Sequence, residues 1–350
     1  MNPDFWQGKR VFLTGHTGFK GGWLSLLLER LGAVVTGYAL APATQPCLFE
    51  LAHVAQGLKA SHLADIRDTK ALTAAMQQAE PEIVFHLAAQ PLVRASYRDP
   101  SETWSTNVMG TVNVLEAVRN CPGVRAVLVV TTDKCYENRE WVWGYREIDA
   151  LGGYDPYSAS KASAEHVVAS YRRSFLAEKG VLIATARAGN VIGGGDWSED
   201  RLIPDVVRAV ANNEPLVIRN PLATRPWQHV LEAINGYMLL AERLLAGDES
   251  FAEAFNFGPG SEGNRTVQEV LSGLNKHWPR LSWHHDQSQQ LHEAGFLFLD
   301  TSLARSRLKW APCWEFDEGV AQTAYWYHQV LADPSSAREI TLHQIQTYFG

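Results

Sequence analysis

The stretch Arg10 to Trp23, Arg-Val-Phe-Leu-Thr-Gly-His-Thr-Gly-Phe-Lys-Gly-Gly-Trp, constrains this chain more than any other. Val11, Phe12 and Leu13 form a short apolar run. Gly15, Gly18 and Gly21 follow at three-residue spacing, before an apolar, helix-like segment begins at Trp23. In the order strand, glycine turn, helix, a pyrophosphate can approach backbone N–H groups at a helix N-terminus, where side chains would hold it off. Glycine also closes turns for conformational reasons alone, so a structural αβ turn stays open as the alternative. The position between a strand and a helix points to a dinucleotide site containing His16, Thr17, Phe19 and Lys20 besides the three glycines.

The pattern that follows alternates strand and helix. Ala33 to Leu40, Leu58 to Asp65, Glu82 to Ala89, Ala126 to Thr132 and Val181 to Ala186 read as strands. Arg67 to Ala79, Asp99 to Asn120 and Tyr157 to about Lys179 read as helices. Nearly continuous apolar runs such as Ile83-Val84-Phe85-His86-Leu87 suit parallel strands buried on both faces, and His86 reads as a core histidine. The fold expected is α/β, a doubly wound (Rossmann), mostly parallel sheet over residues 1–190. Beyond Gly193 the rhythm loosens. Helical patterns at about Leu202 to Asn213, Leu231 to Ala246, Val267 to Lys276 and Asp317 to Leu331 lie among short strands. Residues 191–350 are therefore expected to form a smaller mixed α/β substrate lobe, with a possible return of the chain to the first domain.

Composition narrows the function. With 350 residues, 46% of them apolar, and a net charge of −7, the chain can bury a real core, and its acidity argues against nucleic acid or an anionic membrane as partner. An anionic ligand would have to be met by local cations. Cys47, Cys121, Cys135 and Cys313 are widely separated, which suggests neither a zinc site nor a disulfide framework. No basic leader followed by a long apolar run is present, and the reading is a cytoplasmic protein. The histidines show no H-E-x-x-H or H-x-H spacing, so no metal is expected.

Tyr157-Ser-Ala-Ser-Lys161 opens the expected long helix. Residues at i and i+4 share a helix face, so the ammonium of Lys161 can sit close to the phenol and favour phenolate, a usable general base. With the glycine turn and a fifth strand ending at Thr131-Thr132, the chain resembles the extended short-chain dehydrogenase/reductase family of NAD-dependent epimerases and dehydratases acting on nucleotide sugars. The resemblance runs through Asp65-Ile66-Arg67-Asp68, His86-Leu87-Ala88-Ala89, Asn107, and Arg187 to Gly193. It implies that Asp65 and Ile66 meet the adenine, that Leu87, Ala88, Ala89 and Asn107 help to hold the cofactor, and that Thr132 assists Tyr157 at the sugar. Lys161 would also hold the nicotinamide ribose.

Within that family the residues after the threonine decide the reaction. Better-known dehydratases carry Thr-Asp-Glu, and this chain has Thr132-Asp133-Lys134. Two ionisable groups there suit an elimination: once C4 of the sugar is a ketone the C5 proton is acidic, one group removes it and the other protonates the departing C6 hydroxyl. A lysine must lose its proton to act as the base. Gly15-His16-Thr17-Gly18-Phe19-Lys20-Gly21, Thr132-Asp133-Lys134-Cys135-Tyr136, Gly189-Asn190-Val191-Ile192-Gly193-Gly194-Gly195-Asp196-Trp197 and Arg225-Pro226-Trp227-Gln228-His229-Val230 together look like the branch that dehydrates CDP-glucose. That likeness implies a lyase of deoxysugar biosynthesis, as for lipopolysaccharide O-antigen. It also implies Asn190, Arg201, Arg219 and Arg225 on the substrate, Arg219 and Arg225 offering planar forks to a diphosphate.

One departure concerns the cofactor. An acidic residue usually follows the glycine turn by about 20 residues, to hold the ribose 2′-OH. Tyr38-Ala39-Leu40-Ala41 stands there instead, so NAD is expected from the resemblance, with relaxed selectivity. The family's usual dimer, pairing the helices that begin near Asp99 and Tyr157 across a two-fold axis, is expected as homodimer or dimer of dimers. Another nucleotide-sugar 4,6-dehydratase, a 4-epimerase and a non-catalytic NAD-binding regulator remain as alternatives.

Overall fold

The computed structural model describes residues 2–286, 288 and 295–350. The first half carries six strands and, besides shorter helical turns, the longer helices between them: β1 (Arg10–Thr14), α1 (Phe19–Arg30), β2 (Val34–Ala39), β3 (Ala60–Leu63), α2 (Thr69–Ala79), β4 (Ile83–His86), α3 (Gly110–Arg119), β5 (Ala126–Val130), α4 (Pro156–Tyr171) and β6 (Leu182–Ala188). The second half adds β7 (Asn190–Ile192), α5 (Leu202–Asn212), β8 (Leu216–Ile218), β9 (Thr224–His229), α6 (Val230–Leu245), β10 (Ala254–Phe257), β11 (Asn264–Thr266), α7 (Val267–Asn275), β12 (Trp283–His285), α8 (Phe316–Ala332) and α9 (Ala337–Phe349).

The main sheet has seven parallel strands in the order β10-β6-β5-β4-β1-β2-β3. Every residue of β4 and β5 is buried, as expected of strands covered by helices on both faces. One face packs α1 and α6 through Trp23, Leu27, Ile234 and Leu240, and the other packs α2, α3 and α4 through Met76, Val114 and Val168. Local chemistry starts the helices where the sequence says they can start. Asp68 accepts the Ala71 N–H at the head of α2, and Asp155 accepts the Ser158 N–H at the head of α4, with Pro156 in the first turn.

Three features of the fold have particular physical causes. The helix from Tyr157 ends at Tyr171 and loosens into a wide π-type turn over Arg172–Leu176. The chain after residue 190 contributes to the main sheet. β10 pairs with β6 at the sheet edge and α6 packs against β5 and β6, because their apolar faces need a partner that the first half does not supply. The final helix α9, without a clear apolar stripe in its sequence, lies against α1 and α8 and ties back through Arg338 to Glu29 at 2.6 Å. What remains outside the sheet is small: β11-β9-β7, β12-β8 and the helices around them.

Candidate active site

All the main-sheet strands of the first half end on one edge, and there a cleft of about 1540 Å³ opens between the sheet and the C-terminal segments. Ligands of doubly wound sheets bind at this edge. Of the expected cofactor residues, Gly15, Thr17, Gly18, Phe19, Lys20, Gly21, Asp65, Ile66, Leu87, Ala88 and Ala89 line the cleft. Two do not. The His16 ring turns beneath β2, bonded to the Ser61 hydroxyl at 2.8 Å and edge-on to Phe49, and burial lowers its pKa to about 4. Asn107 is buried and structural, bridging the Gln90 carbonyl at 3.0 Å and the Ser160 hydroxyl at 2.9 Å. Neither side chain reaches the cleft, because each is consumed by partners that sequence spacing cannot reveal.

The glycine turn fits a dinucleotide pyrophosphate. A Cβ on Gly15, whose φ is +82°, would stand 2.7 Å from the Ala88 nitrogen, and one on Gly21 would stand 2.0 Å from the Gly15 carbonyl. Only glycine lets α1 approach the turn so closely. Gly18 caps α1 without a side-chain hydrogen bond, so the first N–H groups of the helix face the cleft with no side chain competing for them. At the other end Asp65 is engaged: the Arg67 guanidinium holds its carboxylate at 2.6 Å and keeps its pKa low. Leu40, 53% exposed, follows β2 where a ribose-binding carboxylate would stand.

Thr132, Lys134, Tyr157 and Lys161 meet in the middle of the cleft. Burial raises the Tyr157 pKa to about 12, against the opposing influence of the nearby Thr132 hydroxyl and the charge of Arg201. The sequence expectation had Lys161 lowering it. The Lys161 ammonium instead donates to the Val130 carbonyl at 3.2 Å, and burial brings its own pKa down to about 8. Asp133 differs from expectation too. It is fully buried below the cleft floor, its Oδ1 accepting from the Thr132 hydroxyl at 2.9 Å and lying 3.6 Å from Lys134 Nζ. Its Oδ2 has no hydrogen-bond partner. A buried carboxylate oxygen left unpaired is costly, and such atoms mark places where a ligand or proton completes the site.

Beneath the catalytic segment sits a buried pair that the sequence did not announce. Glu165, one turn beyond Lys161, holds Arg187 at 2.9 Å and accepts from the Thr131 and Thr185 hydroxyls. Burial would raise the Glu165 pKa, but the guanidinium and the hydrogen bonds prevail and hold it low. The substrate candidates Asn190, Arg201, Arg219 and Arg225 all line the cleft, yet the arginines are not open forks. Arg201 pairs with Asp196 at 3.1 Å, Arg219 with Asp200 at 2.8 Å, and Arg225 donates to the Thr224 carbonyl at 2.9 Å. Arg94, also on Asp200 at 3.3 Å, was missed because nothing near it in sequence signals that carboxylate.

Comparison with known proteins agrees with this geometry. A family profile described as GDP-mannose 4,6 dehydratase matches residues 12–323. A CDP-glucose 4,6-dehydratase of Salmonella typhimurium is 51% identical over 333 residues, 93% of this chain and 92% of that protein. A dTDP-glucose 4,6-dehydratase of Xanthomonas campestris pv. campestris is 29% identical, over 90% of this chain and 92% of its own. Among solved structures, an epimerase from Methanothermobacter thermautotrophicus superposes with a TM-score of 0.82 at 22% identity, covering 95% of this chain and 97% of its own. The UDP-glucose 4-epimerase of Thermotoga maritima gives 0.79 at 21%, covering 92% and 99%, and both speak for the fold. With its glycine cradle, its Thr132–Tyr157–Lys161 group and a profile match across most of its length, the chain belongs to the GDP-mannose 4,6 dehydratase family.

Proposed function

We propose that this protein is an NAD-dependent lyase that converts CDP-glucose to CDP-4-keto-6-deoxyglucose and water. The observation that carries the reading is the charged pair Asp133–Lys134 set against Thr132 and Tyr157, since a simple epimerase has no need of it. When bound, NAD accepts a hydride from C4 of the sugar and returns it to C6, leaving no net oxidation. The residues of this chain move the protons. Tyr157, beside Thr132 on the cleft wall, takes the C4 hydroxyl proton in its phenolate form, which a bound cationic nicotinamide would favour against burial. Asp133 protonates the C6 hydroxyl as it leaves. Lys134, with its Nζ 3.6 Å from Asp133 Oδ1 and on the cleft wall, is placed to steady the enolate formed on loss of the C5 proton.

In the same reading the glycine turn, Asp65, Ile66 and the segment Leu87 to Ala89 hold NAD, while Asn190, Arg201, Arg219 and Arg225 hold the nucleotide diphosphate. Residues 1–190 then serve mainly the cofactor and 191–350 mainly the sugar nucleotide. The protein works in the cytoplasm, as a homodimer or dimer of dimers, in deoxysugar synthesis such as that of O-antigen. No helix among the described residues is long and apolar enough to cross a membrane. The test is incubation of the protein and NAD with CDP-glucose, dTDP-glucose, UDP-glucose and GDP-mannose, followed by mass spectrometry. Loss of water from CDP-glucose in preference to the others is the expected result. Loss of water from none of them would overturn the reading.

A further inference from the structure

Lys20 sits where a lysine is electrostatically uncomfortable. It lies in the first turn of α1, at the positive end of that helix dipole, and faces the cleft. Its charged neighbours are Arg201 from the segment before α5, Asp133 and Lys134 after β5, and Lys161 on α4. Three of these are cations, and each already has a partner: Arg201 has Asp196, Lys134 has Asp133, and Lys161 has the Val130 carbonyl. Lys20 has neither an ion pair nor a hydrogen bond among the described residues. A position that breaks a local rule without structural compensation is where function is expected.

The elimination supplies a need that this position answers. Its base must be neutral before it acts, and an amine locked against a carboxylate is held in the charged form. We propose that Lys20 is the base that removes the C5 proton, because its amine, without a partner among the described residues, faces the cleft within the cluster of Asp133, Lys134, Lys161 and Arg201. This rests on the dehydratase reading. The C5–H bond gives its proton to Lys20 Nζ, and its electron pair becomes the C4–C5 enolate. Collapse of the enolate breaks the C6–O bond as Asp133 protonates the leaving hydroxyl, which departs as water. The Lys20 ammonium then exchanges its proton with solvent and returns one to C5 after C6 is reduced. Burial and the neighbouring Arg201 charge lower the amine's pKa to about 7, which favours its neutral form.

The test runs wild type, Lys20→Met, Lys20→Arg and Lys134→Met with NAD and CDP-glucose in deuterated water, reading deuterium at C5, water loss, and NAD affinity by calorimetry. Wild type should turn over faster as pH rises through about 7, because the amine must be neutral. Both Lys20 variants should lose C5 labelling and water loss by roughly 10² or more, since arginine keeps the charge but cannot act as base. NAD affinity should fall by a much smaller factor than C5 labelling does, and Lys134→Met should keep the limb near pH 7. C5 labelling that persists in Lys20→Met, or a defect confined to NAD binding, would overturn the assignment, as would a limb lost in Lys134→Met alone. Failure of wild type to dehydrate CDP-glucose would instead remove the dehydratase reading.

Discussion

At the scale of single residues, Tyr157 and Asp133 divide the work, and their environments say how. Tyr157 stands at the cleft beside Thr132, so Tyr157→Phe removes the group that takes the first proton. The sugar should then be recovered unchanged, with no deuterium at C5 and water loss reduced by about 10² to 10⁴. Asp133→Asn keeps the shape and an acceptor for Thr132 but has no proton to give. C5 labelling should survive in it while water loss falls by a similar factor, and mass spectrometry of one incubation reads both. Equal loss of labelling and dehydration in Asp133→Asn would place Asp133 before the C5 step. Tyr157 and Lys161 were legible because helix spacing alone puts i and i+4 on one face. The burial of Asp133 was not, since the atoms that cover it come from distant segments, Gly189 among them.

At the scale of elements, α4 carries a stripe in which each turn does something different: Tyr157 at the cleft, Lys161 on the Val130 carbonyl, and Glu165 on Arg187. The last contact fastens α4 to β6 and, through Thr131, to the catalytic segment after β5. Arg187 also donates to the Tyr136 hydroxyl at 2.8 Å. Removing one partner of a buried pair leaves the other uncompensated, so Glu165→Leu should cost about 3–5 kcal/mol in urea unfolding. Replacing both by apolar side chains, Glu165→Leu with Arg187→Met, should recover at least half of that loss. A single variant as stable as wild type would mean that the pair is dispensable. The glycine turn, by contrast, could be read directly, because a spacing of glycines before a helix reports a close approach that other residues forbid.

For the whole molecule, three buried histidines tie stability to pH. Burial lowers the pKa of His16 to about 4 and of His86 and His229 to about 3, so the fold keeps them neutral. The unfolded chain protonates them below about 6.5, and therefore binds more protons than the fold as the pH falls. Their contribution is complete above that value and is lost on acidification toward the folded pKa values, at up to roughly 1.4 kcal/mol per pH unit for each. Urea unfolding should show lower stability at pH 5.5 than at pH 7.5, and His229→Asn should flatten the difference. Equal stability at the two pH values would contradict the neutral, buried state. His16 is the case where sequence misled: it stands inside the glycine motif, yet Gly37 and Phe49 leave its ring room only under the sheet edge.

By itself the sequence determined the alternation of strands and helices, the glycine cradle, the shared face of Tyr157 and Lys161 and the charged Asp133–Lys134 step, because each is written in residues a few positions apart. Only the tertiary structure decided that β10 closes the sheet beside β6, that α9 returns to α1, that Arg201 and Arg219 carry carboxylate partners, and that Lys20, among the described residues, has neither an ion pair nor a hydrogen bond. The reason is physical: backbone geometry and side-chain periodicity act over one or two turns, whereas burial and charge depend on which distant segments close over a group.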